Sequence, residues 1–534
     1  MKGLNIKVII FLLVIILMLA NVFSCGDSEK SSTPTQAPGI QTSTGLTPAP
    51  TSASTAKAGE PQYGGVLKII RSKPAANYGY PPKSPGSYST ARGCLETLFY
   101  YDNNGEPLPY LAESWEIAPD GKSVTINVRK GVKLHDGTDL NAELVKWNLD
   151  TYRANASSLG EITGIDVLDE HTVRLNLSHF SNVLLSTLVF TGGAMVSREA
   201  IEQNGIEWAY TNPISTGPYK LAEYKRDTSL ELVRFDDYWG GKPYLDGIKY
   251  IYIADATTAL MAFKAGEANI LTGVSAKYVE DLKASGFDVR AVPSLTTWLA
   301  PDSANPESPF ADKRVREAVS YAIDREAIAE AIGLGYLKAA YQLTPSERLG
   351  HNPSITGRKY NPEKARELLK EAGYPNGLTT TIWAGTSENK DLLLAFQRYL
   401  AEANIDVKIE LVDPGKSIQL RTEGWDGLMY GGMGCDANMN QRLLVELETG
   451  GTFYVDTQRP AEWGPAMTES ISTKTLEDRE KAIQKLMQIC YDDAMVIPLF
   501  TTYEIGAFDK HVQDCDLYKT HHVMWNIENV WLSP

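Results

Sequence analysis

The sequence predicts an α/β protein, because strand patterns and helix patterns follow one another along the chain. Residues 123–129 alternate apolar with polar side chains, as a strand with one buried face does. The turn sequence Pro119-Asp120-Gly121 before them predicts a hairpin. Farther along, an amphipathic helix pattern at 392–400 is followed by an alternating strand pattern at 405–411. A helix followed by a strand, repeated, indicates an α/β lobe.

The N-terminal residues predict export. Lys2 and Lys7 flank the start of the chain, and residues 8–20 form an unbroken apolar run. This run is short for a membrane span and typical of a signal peptide, which we place at residues 1–24.

The next residues predict attachment to a membrane surface. Val22-Phe23-Ser24-Cys25 resembles a lipobox, so we expect Cys25 to be lipidated after cleavage. An uncleaved anchor, or a chance cysteine beside a conventional cleavage site, are the alternatives. Residues 25–61 are mostly Ser, Thr, Pro, Ala and Gly, a composition that predicts a flexible tether.

The folded part is expected to begin with a strand at residues 66–70, after Gly64-Gly65. Residues 71–87 are rich in Pro, Gly, Ser and Tyr and predict a loop. Asn141 is a good helix N-cap, and the apolar residues after it recur at helical spacing. Residues 161–177 predict a second pair of strands, with a turn at Asp169-Glu170.

Capping residues predict helices in the second half of the chain as well. Asp312 and Asp324 each precede a helical pattern, and Asn361-Pro362 supplies a cap followed by a proline at the first helical position. Residues 476–490 form a charged amphipathic helix pattern.

Charge and motif content exclude several functions. The 534 residues are 43% hydrophobic with a net charge of −15, which argues against sequence-independent binding to nucleic acid. The sequence has no HExxH, GxSxG or GxxxxGK[ST] motif, so we predict neither an enzyme nor a cofactor. A secreted glycoside hydrolase, whose two carboxylates leave no local signature, and a structural surface lipoprotein remain alternatives.

The cysteines give no metal site. Their spacing does not match a zinc motif, so no metal is predicted. In an exported chain, disulfides can persist, and sequence cannot choose between free thiols and a bridge among Cys94, Cys435, Cys490 and Cys515.

Several motifs resemble one family. AESWE at 112–116, PDGKS at 119–123 and VRKGVKLHDGT at 128–138, followed by an N-capped helix, resemble the signature segment of extracytoplasmic solute-binding family 5. Ile214 to Tyr219 resembles the family's GTGPY step, and residues 312–318 resemble its DxRVRxA helix. This family is typified by the oligopeptide- and dipeptide-binding proteins of ABC importers.

The resemblance implies a periplasmic-binding-protein-like fold of class II, with two α/β lobes joined by a hinge and an extra subdomain inserted in the first lobe. On this basis we expect lobe I to comprise residues 62–96, 209–297 and 498–534. The inserted subdomain would span 97–208, and lobe II 298–497.

The resemblance also implies a ligand site. In peptide-binding relatives, an aspartate in a loop similar to Gly432-Met433-Gly434-Cys435-Asp436 holds the α-ammonium of the ligand. A cation buried in a closed cleft needs a carboxylate partner, so Asp436 is the first candidate, although a loop aspartate is ordinarily a solvated surface group. Met433 stands where a tryptophan is common in the family. The other candidates are Trp298, Tyr503, Tyr78 and Tyr80.

The predicted function is therefore that of a solute receptor. We expect a monomer, exported and held by lipid to the outer face of the cytoplasmic membrane, that delivers a small solute to an ABC permease and its ATPase subunits. A di- or oligopeptide is the first candidate solute, and a sugar, an opine, a nickel chelate or haem are the rivals within the same fold.

Overall fold

The computed structural model describes residues 59–74, 77–83, 88–102, 104–156, 159–451, 453–519 and 525–534. The predicted signal peptide, Cys25 and nearly all of the predicted tether lie outside the described residues. Four short 3₁₀ helices connect larger elements within them: Pro81–Lys83, Thr191–Gly193, Ala276–Tyr278 and Pro309–Ala311.

A four-stranded antiparallel sheet organises the first third of the described chain. Its strand order is β4-β5-β7-β6, and α2 covers its buried face. The predicted N-cap is confirmed, because the Asn141 side chain accepts a hydrogen bond of 2.9 Å from the backbone N–H of Leu144. The elements of this part are β1 (Val66–Arg71), α1 (Tyr88–Ala91), β2 (Phe99–Tyr101), β3 (Pro107–Pro109), β4 (Ala112–Ile117), β5 (Ser123–Val128), α2 (Ala142–Asn155), β6 (Ile162–Asp169), β7 (Thr172–Leu177), α3 (Asn182–Val189), α4 (Arg198–Asn204) and α5 (Ile206–Ala209).

The middle of the chain returns to the strand that began it. β10 pairs in parallel with β1, and β9 and β8 continue the same sheet as antiparallel neighbours. The elements here are β8 (Tyr219–Lys225), β9 (Ser229–Arg234), β10 (Gly247–Tyr252), α6 (Ala256–Lys264), β11 (Ile270–Thr272), α7 (Val279–Ala284) and β12 (Asp288–Pro301).

The C-terminal part alternates helices and strands, as the sequence predicts. Asp312, Asp324 and Asn361 all cap helices through their side chains. The elements are α8 (Lys313–Ala322), α9 (Arg325–Gly333), β13 (Leu337–Ala339), α10 (Pro362–Glu371), β14 (Leu378–Gly385), α11 (Lys390–Glu402), β15 (Ile405–Val412), α12 (Pro414–Glu423), β16 (Leu428–Gly434), α13 (Met439–Leu447), α14 (Trp463–Ser472), α15 (Leu476–Asp492), β17 (Ile497–Phe508), β18 (Val512–Gln513) and β19 (Trp531–Leu532).

Within the described residues, one mixed sheet has 11 strands, in the order β15-β14-β16-β12-β17-β11-β1-β10-β9-β8, with β13 also paired to β17. Its two longest strands, β12 and β17, are antiparallel neighbours. Their pairing extends from Asp288 opposite Phe508 to Leu299 opposite Ile497. The predicted lobe boundaries at 297/298 and 497/498 fall within these two strands. The chain therefore passes between the predicted lobes along continuous sheet.

Side chains of the predicted inserted subdomain (97–208) contact residues of predicted lobe II (298–497). Asn182 at the start of α3 is buried, and its side-chain amide donates to the carbonyl of Ser470 at 2.8 Å. The Asn182 Oδ1 accepts from the amides of Asn438 and Asn440 at 3.2 and 3.3 Å. Arg479 pairs with Glu106 at the same interface. Hydrogen-bonded polar side chains therefore join the two segments.

The four cysteines of the described residues are buried free thiols: Cys94, Cys435, Cys490 and Cys515. Burial raises the pKa of Cys435 and of Cys515 to about 11, which keeps both thiols protonated near neutral pH.

Candidate functional site

A cavity of about 350 Å³ lies at the carboxyl ends of the parallel strands β14 and β15. We call it the lobe II pocket. This edge of a parallel α/β sheet is where ligands commonly bind, because loops and helix ends converge there. The lining residues are Leu295, Thr297, Gly385, Thr386, Ser387, Glu388, Val412, Pro414, Ser417, Ile418, Arg421, Tyr430, Gly431, Gly432 and Tyr454.

Part of β16 presents an open edge beside this pocket. The pairing of β14 with β16 ends where Trp383 lies opposite Met429. In contrast, β12 pairs with the whole of β16, as far as Gly434. Among the described strands, residues 430–434 therefore have a neighbour on one side only. Unpaired backbone N–H and C=O groups at such an edge can pair with an extended segment of another molecule.

Glycine at position 431 leaves room for a buried tyrosine at the inner end of the pocket. A Cβ placed on Gly431 would lie 2.0 Å from the hydroxyl oxygen of Tyr454. The Tyr454 ring is fully buried and packs edge-on against Trp298 and Trp425. Its backbone φ of +50° lies in the left-handed region, which is rare for an aromatic residue and often occurs at functional sites.

Charged side chains also line the pocket. Arg421, in the last turn of α12, lies over the rings of Phe453 and Tyr454. Its Cζ is 5.2 and 5.8 Å from the two ring centroids. Glu388, in the loop after β14, is partly buried, and this burial raises the pKa of its carboxyl group. The pocket therefore offers both a cation and an acid, together with the hydroxyl groups of Thr386 and Ser387.

The Asp436 loop follows directly after β16. Asp436 is 9% exposed and accepts a hydrogen bond of 2.5 Å from Arg442 Nε through its Oδ2. Burial lowers the pKa of Arg442, but the neighbouring Asp436 carboxylate outweighs it and raises this pKa overall. Arg348 donates to the carbonyl of Cys435 at 2.8 Å, and the Cys435 N–H donates to the carbonyl of Ser294 at 2.9 Å. These contacts fix the loop between two arginines.

A second acid lies near Arg348. Tyr503 donates a hydrogen bond to Glu347, and Lys338 contacts the same carboxylate at 2.7 Å while lying over the Tyr503 ring. Burial raises the pKa of Glu347, but hydrogen bonds from Lys338, Tyr503 and Ser346 outweigh it and lower the value to about 2. Glu347 is therefore ionised near neutral pH.

Comparison with protein families identifies the chain. The model of "Bacterial extracellular solute-binding proteins, family 5 Middle" matches residues 106–443. The chain belongs to this family.

A curated relative in family 5 is the glutathione-binding protein GsiB of Shigella boydii serotype 4 (strain Sb227). It is 32% identical over 340 residues, which cover 62% of this chain and 66% of the relative. The chain thus spans about two thirds of the length of the curated relatives that it matches.

Solved structures share the fold. The periplasmic binding protein DppA from Helicobacter pylori, in complex with the peptide STSA, gives a TM-score of 0.75 at 25% identity over 89% of this chain and 99% of that one. NikA from Brucella suis, in complex with Fe(III)-EDTA, gives a TM-score of 0.78 at 22% identity over 87% of this chain and 100% of that one.

Family membership and these likenesses confirm the predicted periplasmic-binding-protein-like α/β fold with two lobes. They also confirm the prediction of a solute-binding protein rather than an enzyme.

The structure brings together some of the predicted site residues. Gly432 lines the lobe II pocket, and Gly434, Cys435 and Asp436 continue from it into the Asp436 loop. Met433 is 1% exposed and packs in the hydrophobic core, because alternate side chains of a strand point to opposite faces. Tyr503 lies near Arg348 rather than in the pocket lining.

The other predicted aromatic residues lie in hydrophobic cores. Trp298 is fully buried behind the pocket, against Tyr454. Tyr78 and Tyr80 are 1% and 2% exposed and pack against Tyr224 and Tyr210. The structure does not bring Tyr78 or Tyr80 to the lobe II pocket, because their large rings pack in a separate hydrophobic core.

Sequence reasoning missed four polar residues of the site. They lie at a helix end, in a loop, in the first turn of a helix and in the loop after a strand, at positions distant in sequence: Arg421, Tyr454, Arg442 and Glu388. The one local signal was the spacing of Asp436 and Arg442. In the structure, this spacing lets a residue in the first turn of α13 reach back to the preceding loop.

Proposed function

We propose that this protein is the substrate-binding component of an ABC importer that captures a peptide-like solute. The observation that carries the proposal is the lobe II pocket beside the open edge of β16, in a chain of family 5. A volume of about 350 Å³ suits a small solute. The solute would pass unaltered to a membrane permease with its ATPase subunits.

The open edge of β16 supports a peptide-like ligand. An extended main chain placed along residues 430–434 would find backbone groups that no second strand pairs, as an added strand does, with the Gly432 backbone also bonded to the Tyr454 side chain. Glycines at 431, 432 and 434 leave the faces of this edge free of side chains, so the side chains of an added strand would meet no neighbours there. Hydrogen bonds to the main chain would bind peptides of differing sequence.

Asp436 is the proposed partner of a ligand ammonium group. Arg442 bonds to Oδ2, so an ammonium group would approach Oδ1 and share the carboxylate with the arginine. The names of two similar proteins specify glutathione and the peptide STSA, both of which have an α-ammonium group. A carboxylate that already has a partner holds a second cation less tightly than an unpaired one, so Asp436 would contribute a modest part of the affinity.

Closure of the two lobes would signal occupancy to the importer. In this proposal the moving units are the two lobes and the inserted subdomain, with the predicted boundaries. Strands β12 and β17 connect the two lobes. Ligand must bind the closed form more tightly than the open form, since equal affinity for both would leave their populations unchanged.

We also propose that the exported chain is a monomer held to the outer face of the membrane by lipid on Cys25, with residues 25–61 as the tether. No helix in the described ranges is both long and apolar enough to cross a bilayer. Cys25→Ser should move the protein from the membrane fraction to the soluble fraction of expressing cells, whereas Cys490→Ser should not. Equal membrane retention of both variants would contradict lipid attachment at this position.

Native mass spectrometry of gently purified protein tests the proposed function. We expect a bound solute of peptide-like mass, and calorimetry with reduced glutathione and with the peptide STSA should then rank the two candidates. The bound solute should be recovered chemically unchanged after release. Conversion of the solute would favour the hydrolase alternative, and the absence of any bound or titratable solute would contradict the receptor function.

A further inference from the structure

The predicted inserted subdomain is joined to predicted lobe I through a buried acid and a shared core. The Glu96 carboxylate accepts hydrogen bonds of 2.6–2.8 Å from one side chain of the subdomain and three of lobe I: Tyr110, Thr216, Tyr238 and Trp239. Four bonds to one buried carboxylate are costly to break, because bonds to a charged group are stronger than neutral ones. Val196 and Ile201 of the subdomain also belong to the hydrophobic core of lobe I. The subdomain and lobe I are therefore firmly attached to each other.

The contact between the subdomain and predicted lobe II is mainly polar. Within the described residues, Ala437 is the one side chain of lobe II that belongs to the hydrophobic core of the subdomain. Around it, neutral groups form hydrogen bonds: the Asn438 amide donates to Ser186 Oγ at 2.7 Å, and the Asn182 amide donates to Thr473 Oγ1 at 3.0 Å. Polar interfaces with little apolar contact are typical of units that move relative to one another.

This polar contact is continuous with the Asp436 loop. Asn438 is two residues after Asp436. Ala437, between them, lies so close to the subdomain that a Cβ on Gly105 would be 2.7 Å from its carbonyl carbon. The position of the Asp436 loop therefore depends on whether lobe II and the subdomain are in contact.

We propose that this contact is a latch that holds lobe II closed against the subdomain, with Asn182 and Ser186 of α3 on one side and Asn438 and Thr473 on the other. The inference rests on the proposed closure of the lobes and adds the place where the closed form is held. When lobe II swings away, the subdomain stays with lobe I, and the latch groups exchange their bonds for bonds to water. Because each neutral hydrogen bond contributes little net free energy, the latch opens without unfolding either side.

Two mild substitutions weaken the latch. Ser186→Ala removes an acceptor of the Asn438 amide, and Thr473→Val removes an acceptor of the Asn182 amide while nearly preserving the side-chain volume. Each should lower the ratio of closed to open protein roughly fivefold, as loss of one neutral hydrogen bond does. The double variant should lower it roughly 25-fold, since the two sites use different donors. The control is Ser472→Ala, which removes an exposed hydroxyl beside Thr473.

Pulsed electron paramagnetic resonance between two spin labels measures this ratio. The labels are attached to Glu170→Cys in the subdomain and Arg398→Cys on α11 in lobe II, two exposed positions. They react selectively, because the four thiols of the described residues are buried and Cys25→Ser removes the fifth cysteine of the chain. The protein is measured without added solute, after native mass spectrometry has shown that none is bound.

The solute-free parent protein should show a short distance, which matches the structure, and a longer one for the open form. The latch variants should shift the populations toward the longer distance by the stated factors, and Ser472→Ala should not. If the double variant fails to fold, the two single variants give the same test. Populations that are equal in the latch and control variants, or a parent protein that shows the long distance alone, would overturn the latch. Failure to bind any solute, with both distances still populated, would instead contradict the receptor function and leave the latch intact.

Discussion

Replacing Gly431 by alanine should destabilise the protein, because the new methyl group would meet the hydroxyl of Tyr454. An ideal Cβ at Gly431 lies 2.0 Å from that oxygen, whereas a Cβ at Gly385, in the same pocket lining, has no atom closer than 3.7 Å. The tyrosine has little room to move, since its buried ring packs against Trp298 and Trp425. Gly431→Ala and Gly385→Ala therefore form a matched pair.

The expected magnitude follows from the overlap. Inserting a methyl group into a filled site costs about 1–3 kcal/mol, because neighbours must leave their preferred rotamers. For a chain of this size, that cost lowers the melting temperature by on the order of 2 °C. Gly385→Ala should change the free energy of unfolding by no more than about 0.5 kcal/mol.

A double-mutant cycle locates the clash. In the Tyr454→Phe background, the nearest ring carbon to the Cβ at position 431 is Cζ at 3.0 Å, so the overlap is reduced but not removed. Gly431→Ala should then cost about 1 kcal/mol less than in the wild type, as measured by calorimetry and urea unfolding. Equal costs in the two backgrounds, or equal effects of Gly431→Ala and Gly385→Ala, would refute this account of the pocket.

Three further predictions concern the ligand, the interface and pH. Asp436→Ala should weaken the binding of an amine-bearing peptide about tenfold in calorimetry, since it removes the proposed partner of the ammonium group. Unchanged affinity would show that Asp436 does not hold the ammonium group. Asn182→Ala should lower the free energy of unfolding by about 2 kcal/mol, because it leaves buried amides and a carbonyl with fewer partners, whereas Asn204→Ala at the end of α4 should have little effect. Burial lowers the pKa of His135 to about 4, so its folded form resists protonation and the unfolded form binds the proton first. Stability should therefore fall as the pH drops from about 6.5 to 4, by at most about 1.4 kcal/mol per unit from this group, and less steeply in His135→Gln.

Local signals predicted the regular elements well. The Pro119-Asp120-Gly121 turn lies between β4 and β5 as expected, and the caps at Asn141 and Asp312 both form. These features depend on neighbours within a few residues, so the sequence contains all the information needed. The strand at 405–411 and the helix before it were predicted for the same reason, because periodic burial is visible in the chain itself.

The site was predicted less completely. The resemblance pointed to residues 432–436 as a loop, whereas residues 432–434 lie in β16 and only Cys435 and Asp436 follow it. It did not indicate the Arg442 partner of Asp436 or the Arg421 and Tyr454 side chains at the inner end of the pocket. Tyr78 and Tyr80 were candidate ligand contacts in a predicted loop, yet both rings are in a hydrophobic core. A loop sequence does not reveal which side it packs against, because that depends on the elements that cover it.

The sequence by itself determined the strands, the capped helices and the family to which the chain belongs, because each depends on local spacing or on motifs of contiguous residues. The tertiary structure alone decided which charges become partners and which polar atoms stay unsatisfied. β14, α12, β16 and the loop at Tyr454 are separated along the chain, and only the pairing of the large sheet places them around one cavity. Burial then sets the protonation of their acids, and burial is a property of the folded chain rather than of any segment.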